Sequence, residues 1–223
     1  MKLILNSFFI LFYLISGPAL SKEVSNTYKI KVSGISVGKL EWILITTKER
    51  YKNNLKIYSE GVLSAVYKFK GKYYSEGIIE NQIVKTQKYS HYWETKKTTK
   101  KMNLIFDDNK IISLEQFPTE KEKLRVDIFS LKGTNDPLSS FLQILKGKKK
   151  AVVIDGRRTY TMEVVNSMGV EEITVQLNNY SNLWADHKRN KFEKIKFIKK
   201  NNDLLPFQIH IYFDGRVFKL IKI

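Results

Sequence analysis

Apolar residues recur at every second position along most of this chain, and that rhythm commits it to strands. Tyr28, Ile30 and Val32 alternate with Lys29, Lys31 and Ser33, which places one set on a buried face and the other in water. A turn over Gly34 to Gly38 leads into a second apolar strand, Leu40 to Ile45. The same spacing returns in Leu124-Val126-Ile128, Tyr160-Met162-Val164, Ile173-Val175-Leu177 and Phe207-Ile209-Ile211-Phe213. Turn-forming clusters punctuate these runs: Lys52-Asn53-Asn54, Asp107-Asp108-Asn109, Asp155-Gly156, Asn201-Asn202-Asp203 and Asp214-Gly215. Many strands at short intervals predict a mainly β fold, a curved antiparallel sheet or open β-barrel.

One segment has helical spacing instead. Asp136 is a good N-cap and Pro137 suits the first helical position. Leu138, Phe141, Leu142 and Leu145 then fall at i, i+3, i+4 and i+7 before Gly147, which predicts one principal amphipathic helix within 136–147. Its apolar stripe needs a surface to bury against, and the concave face or open end of the sheet supplies one. A shorter helical turn is expected around Val62 to Phe69.

The first 21 residues read as a secretory leader. Lys2 gives a positive start, Leu3 to Ile15 an apolar run, and Ala19-x-Ser21 a small-residue cleavage signal. That run is shorter than the roughly 20 apolar residues a spanning helix needs. A single domain over 22–223 and a periplasmic location are therefore expected. The chain has no cysteine, so neither disulfides nor a lipid-accepting cysteine after the leader can form, and the core must hold the fold unaided.

The net charge of +17 favours anionic partners. With 33 lysines against six arginines, codon composition explains much of it, and an arginine-poor exported surface argues against nucleic acid. Lipid headgroups or an anionic envelope polymer suit it better.

Catalytic signals are sparse. Gly34-Ile35-Ser36-Val37-Gly38 matches G-x-S-x-G, but that elbow needs a strand before the serine and a helix after it. The residues following Ser36 read as another strand, so a serine hydrolase is a remote reading. His91, His187 and His210 have no metal-ligand spacing. No cofactor and no enzymatic activity are expected. Binding is the better-supported class: aromatic side chains on the inner face of a sheet can enclose an apolar cavity, with Trp42, Phe141 and Trp184 as candidate lining residues. Arg157 and Arg158 complete the candidate set. In a lysine-dominated chain two adjacent arginines stand out, and period two sends at most one of them inward, where it needs a carboxylate such as Asp155 or Asp136, or an anionic ligand.

Several landmarks fall in a recognisable order. Tyr28-x-Ile-x-Val-x-Gly34-Ile-x-Val37-Gly38-x-Leu40, Gly61-x-Leu63-Ser-x-x-Tyr67, Asp136-Pro137-Leu138-Ser139, Asp155-Gly156-Arg157-Arg158-x-Tyr160, Leu205-Pro206 and Gly215-x-Val217-x-x-Leu220 together resemble the DUF3108 family of exported bacterial proteins. The resemblance implies a β-rich periplasmic or envelope-associated domain without an assigned activity. At fold level such a sheet around a helix is similar to the open barrels of periplasmic lipoprotein carriers, an analogy of architecture alone. The reading that results is a non-enzymatic exported protein that binds or carries a lipid or other amphiphile, with a structural or assembly role beside another envelope protein as the alternative.

Overall fold

A computed structural model describes residues 21–61, 64, 68–168, 171–184, 192–200 and 203–223; of the expected leader, all but Ser21 lies outside them. The elements run β1 (Lys22–Val32), β2 (Ile35–Thr46), β3 (Arg50–Ser59), β4 (Phe69–Glu80), β5 (Ile83–Thr95), β6 (Thr99–Asp107), β7 (Lys110–Phe117), β8 (Thr134–Asn135), α1 (Pro137–Leu145), β9 (Lys150–Ile154), β10 (Arg158–Met168), β11 (Glu172–Asn182), β12 (Phe192–Ile198), β13 (Gln208–Phe213) and β14 (Arg216–Lys222). All fourteen strands share one sheet in the order β7-β6-β5-β4-β3-β2-β1-β14-β13-β12-β11-β10-β9-β8. Sequence neighbours are therefore sheet neighbours, and β1 pairs with β14 through Tyr28↔Lys222 and Ile30↔Leu220. The order is that of a meander cut once, between β7 and β8. Every pairing is antiparallel except β8 with β9, where the chain passes through α1 between the two strands.

Local chemistry fixes the register. Four hairpins turn over two residues, Ser33-Gly34, Asn81-Gln82, Asp108-Asn109 and Asp214-Gly215, all at positive φ. This is the twist that suits the flanking strands and that Gly, Asn and Asp adopt at least cost. The first turn is thus tighter than the expected span to Gly38, which instead lies inside β2. A Cβ on Gly38 would sit 2.3 Å from the Tyr58 carbonyl oxygen, so glycine is needed there for the close approach of β3.

Two other expectations are corrected. Lys52-Asn53-Asn54 is no turn but the middle of β3. Asn53 is fully buried there because Trp42 Nε1 donates to its Oδ1 at 2.7 Å and its Nδ2 donates to the Leu138 carbonyl at 3.3 Å, so a turn-type residue is satisfied in a strand. Leu124, Val126 and Ile128 form no strand; they belong to an irregular strap, residues 118–133, that joins β7 to β8. Ile128 is fully buried, with Leu124, Val126 and Leu131 packed beside it on Tyr89, Met102, Leu104 and Leu183. The alternating apolar residues are consumed by this packing, and a backbone bond from Arg125 N to the Leu183 carbonyl (2.8 Å) fastens the strap to the far side of the cut. Of the helical turn expected around Val62 to Phe69, most lies outside the described residues, and Phe69 itself opens β4.

The helix begins and ends where the spacing predicts, capped by Asp136. Its surroundings are more enclosed than one stripe implies. Leu138, Ser139, Ser140, Leu142, Gln143, Ile144 and Leu145 are all buried, so α1 lies inside the curved sheet, contacting β4, β5 and β9. Its polar side chains are buried with it, and the sheet supplies partners for Asp136, Ser139 and the Gln143 amide nitrogen, while Ser140 Oγ and Gln143 Oε1 have none. Asp136 Oδ1 accepts from the N–H groups of Leu138 (2.8 Å) and Ser139 (3.2 Å), while Oδ2 accepts from Ser75 Oγ (2.8 Å), Thr86 Oγ1 (2.7 Å) and Ser139 Oγ. Tyr51 joins through Ser75 (3.1 Å) and Ser139 (2.8 Å), and Gln143 Nε2 donates to the Val84 carbonyl at 2.6 Å. Burial pushes the Asp136 carboxyl up from its ordinary range while these hydrogen bonds pull it back.

Replacing Asp136 by alanine removes a helix cap, worth about 1 kcal/mol, and strands buried hydroxyls at about 1–3 kcal/mol each. Asp136→Ala is expected to lower stability by about 3 kcal/mol or more in urea unfolding followed by circular dichroism. Asp136→Asn keeps the cap oxygen, and the hydroxyls can rotate to meet the new amide, so it is expected to lose less than half as much.

Candidate functional site

The inner face of the sheet has two unlike ends. At the end holding α1, the inward side chains Trp42, Leu44, Tyr51, Val84 and Val175 are buried to within 2% of complete. Toward the other end the same alternation still points apolar groups inward, but Leu55 and Ile57 on β3, Tyr73 on β4, Tyr160 on β10, Leu177 on β11 and Phe218 on β14 are only half-buried. The helix plugs one end, and the opposite mouth keeps accessible apolar lining. Gly71 shapes this mouth: a Cβ there would lie 2.7 Å from Ile57 Cγ2 and 3.2 Å from the Trp93 ring, and Trp93 stacks on Phe69 at 5.4 Å.

Polar groups gather at the mouth. The Asp155-Gly156 turn opens β10, with Asp155 Oδ1 accepting from the N–H groups of Arg157 and Arg158, both at 2.8 Å. Arg158 Nη1 stands 3.8 Å from Asp155 Oδ2, and its guanidinium lies over the Tyr180 ring at 5.9 Å. Arg157 pairs with Glu120 of the strap through Nη1, while its Nε and Nη2 are buried without a hydrogen-bond partner. Period two had sent the two arginines to opposite faces. Arg157 in fact precedes β10, in the turn, so alternation does not govern it, and both guanidinium charges act on His91 of β5. Burial first, then Arg157, Arg158 and Lys100, lowers His91 to about 4. Its Nδ1 lies 3.3 Å from the Tyr89 hydroxyl. Burial likewise drives the phenols of Tyr73 and Tyr160 upward and raises Asp155. Tyr73 and Tyr160 are therefore crowded by protein and yet keep accessible surface, as groups lining a recess do.

The five candidate residues are distributed unevenly. Arg157, Arg158 and Trp184 come together: Trp184 is half-buried and its Nε1 donates to the Gly156 carbonyl at 3.4 Å. Phe141 is half-buried on α1, edge-on to Phe197 at 5.6 Å, and touches both hydrophobic clusters of the core. Trp42 stands apart as core, held by Asn53. Ser36 lies in β2 beside the first hairpin turn, so no helix follows it as an elbow requires. His187 lies outside the described residues. His91, Tyr73, Tyr160 and Glu120 went unnoticed as site residues because they come from strands and a strap distant in sequence; only the inward phase of β4, β5 and β10 could have suggested the first three. Among the described residues no group of three or more His, Cys, Asp or Glu could hold a metal ion, and no helix is long and apolar enough to cross a membrane.

Two shallow depressions mark the surface, the second sharing Leu55, Tyr73 and His91 with the mouth. One of about 350 Å³ follows the rim of the plugged end, with Lys22, Leu44, Ile79, Leu142 and Lys146. The other, about 320 Å³, lies between β3 and β6 and is lined by Lys56, Lys72, Tyr92 and Lys101 together with Tyr73 and His91. Both are open to solvent, and neither combines apolar lining with arginines as the mouth does.

Residues 27–220 match the family described as a protein of unknown function, DUF3108. The chain belongs to the DUF3108 family. Among solved structures, this DUF3108 protein is similar to a beta-barrel-like protein of domain of unknown function DUF1849 from Brucella abortus, with a TM-score of 0.55 and 12% identity over 92% of this chain and 96% of that one. At that identity the likeness establishes the fold, an open β-barrel around one helix. No curated protein matches the chain.

His91 supplies a pH test. Its folded-state pKa of about 4 lies below the unfolded value of roughly 6.5, so the unfolded chain binds more protons between them and stability falls as pH drops through that window. His91→Gln is expected to flatten this part of a plot of Tm against pH. An unchanged slope would place the loss on other groups.

Proposed function

We propose that this DUF3108 protein is an exported, non-catalytic envelope protein that takes the apolar part of an amphiphile into the unplugged mouth of its barrel. The observation that carries this reading is the gradient along the inner face, from complete burial around α1 to half-buried Leu55, Ile57, Tyr73, Tyr160 and Leu177 at the mouth. A barrel interior that is filled at one end and lined with accessible apolar groups at the other suits a ligand with one apolar and one polar part. The leader over residues 1–21 and the absence of cysteine support a soluble periplasmic location. The basic balance of +17 favours an anionic lipid or envelope polymer over a neutral one.

A second reading, docking to another envelope protein, is favoured by β7. It forms one end of the sheet order, and Ile112 and Phe117 on it are 60% and 57% exposed. An unpaired edge of this kind can accept a strand.

Native mass spectrometry of protein taken gently from the periplasm, with organic extraction of the same sample, tests both readings. A stoichiometric amphiphile is expected on a chain beginning at Lys22. Leu177→Trp, which fills the mouth, is expected to reduce that occupancy at least severalfold while the far-ultraviolet spectrum stays unchanged. A clean mass without adduct, together with a co-purifying protein, would favour docking at β7.

A further inference from the structure

We infer that Arg157 and Arg158 form a headgroup site, binding the phosphate or carboxylate of an amphiphile whose apolar part lies along Leu55, Tyr160 and Leu177. This rests on the amphiphile reading above and gives the ligand its charge.

The carboxylates at hand do not use up the guanidinium groups. Glu120 takes only Nη1 of Arg157, leaving Nε and Nη2 buried and unpaired. A desolvated guanidinium edge with two donors presents the fork that matches two oxygens of a phosphate or carboxylate. Arg158 has Asp155 at 3.8 Å, beyond hydrogen-bond length, and its side chain is 42% exposed. Asp155 is already engaged, since its Oδ1 holds the N–H groups of both arginines. Arg157 and Arg158 both disfavour a charge on His91, so the field at this point of the mouth is positive. His91 adds no charge near neutral pH. The apolar groups Tyr160 and Leu177 lie on the same two strands that begin and end at this turn, with Arg158 opposite Asn182 in the β10–β11 register. Head and tail subsites are thus parts of one hairpin.

The test uses the purified, delipidated protein and three probes below their micelle concentrations: dodecyl phosphate, dodecyl maltoside and inorganic phosphate, followed by isothermal titration calorimetry. Dodecyl phosphate is expected to bind at least about tenfold more tightly than either other probe, and Arg158→Gln to weaken it by about tenfold, with Arg158→Lys recovering only part because a point charge replaces a fork. Arg157→Gln also removes the partner of Glu120, so Glu120→Gln serves as its companion: it frees Nη1 and is expected to retain or strengthen dodecyl phosphate binding. If Arg157→Gln and Arg158→Gln, both folded by circular dichroism, bind dodecyl phosphate as the parent does, the headgroup site is overturned while the amphiphile reading stands. Equal affinity for inorganic phosphate would also overturn it, in favour of a free-anion site. If neither dodecyl probe binds, both readings fall together.

Discussion

Burying an ionisable carboxylate is among the costliest things a fold can do, and here the cost falls at the point where the helix meets the sheet. Asp136 is fully buried, yet each of its oxygens has donors. Two come from the first turn of α1, and the rest from Ser75, Thr86 and Ser139. Because Ser75 lies on β4 and Thr86 on β5, with Tyr51 of β3 linked to Ser75 and Ser139, one side chain sets the position of α1 against three adjacent strands. Apolar contact alone would let a short helix slide or rotate within a wide barrel. A buried network whose members must all be satisfied together leaves one arrangement.

That arrangement decides where the barrel is full. With its N-terminus held by β3, β4 and β5, the nine-residue helix, about 13 Å long, extends toward one rim. The Gln143 bond to the Val84 carbonyl and the Lys199 bond to the Leu145 carbonyl mark that rim. The opposite mouth is left to side chains of the strands alone, and there Leu55, Ile57, Tyr160 and Leu177 are only half-buried. The accessible lining at the mouth is thus a consequence of the same interaction that plugs the other end.

Much of this was legible in the sequence. Two-fold alternation gives β1, β2, β10, β11 and β13, and Asp136-Pro137 with its apolar spacing gives the helix. What was not legible are the places where tertiary contacts override local pattern. Asn53 has the composition of a turn but is a core residue, because Trp42 lies opposite it in the adjacent strand, two residues out of direct register, and needs an acceptor. Leu124, Val126 and Ile128 have the alternation of a strand, but they close a seam that no strand fills. The mouth was half visible: the paired arginines stood out against lysine, and Trp184 lies with them. Their neighbours His91 and Tyr73 come from strands more than sixty residues earlier, which no local pattern connects to Arg157. Trp42, chosen by the same aromatic criterion as Trp184, turned out to be core because composition does not distinguish the plugged end from the open one.

The strap links the seam to the mouth. Residues 118–133 must cover the cut between β7 and β8, and they do so by burying Ile128 and by pairing Glu120 with Arg157. The ion pair is placed where it both anchors one end of the strap and orients the guanidinium whose other edge faces no protein acceptor. A lysine at position 157 could satisfy Glu120 but would offer no second, fixed pair of donors. Arginine at this position, in a chain that otherwise favours lysine by more than five to one, carries two directed edges at once, one paired with Glu120 of the strap and one buried without a protein acceptor.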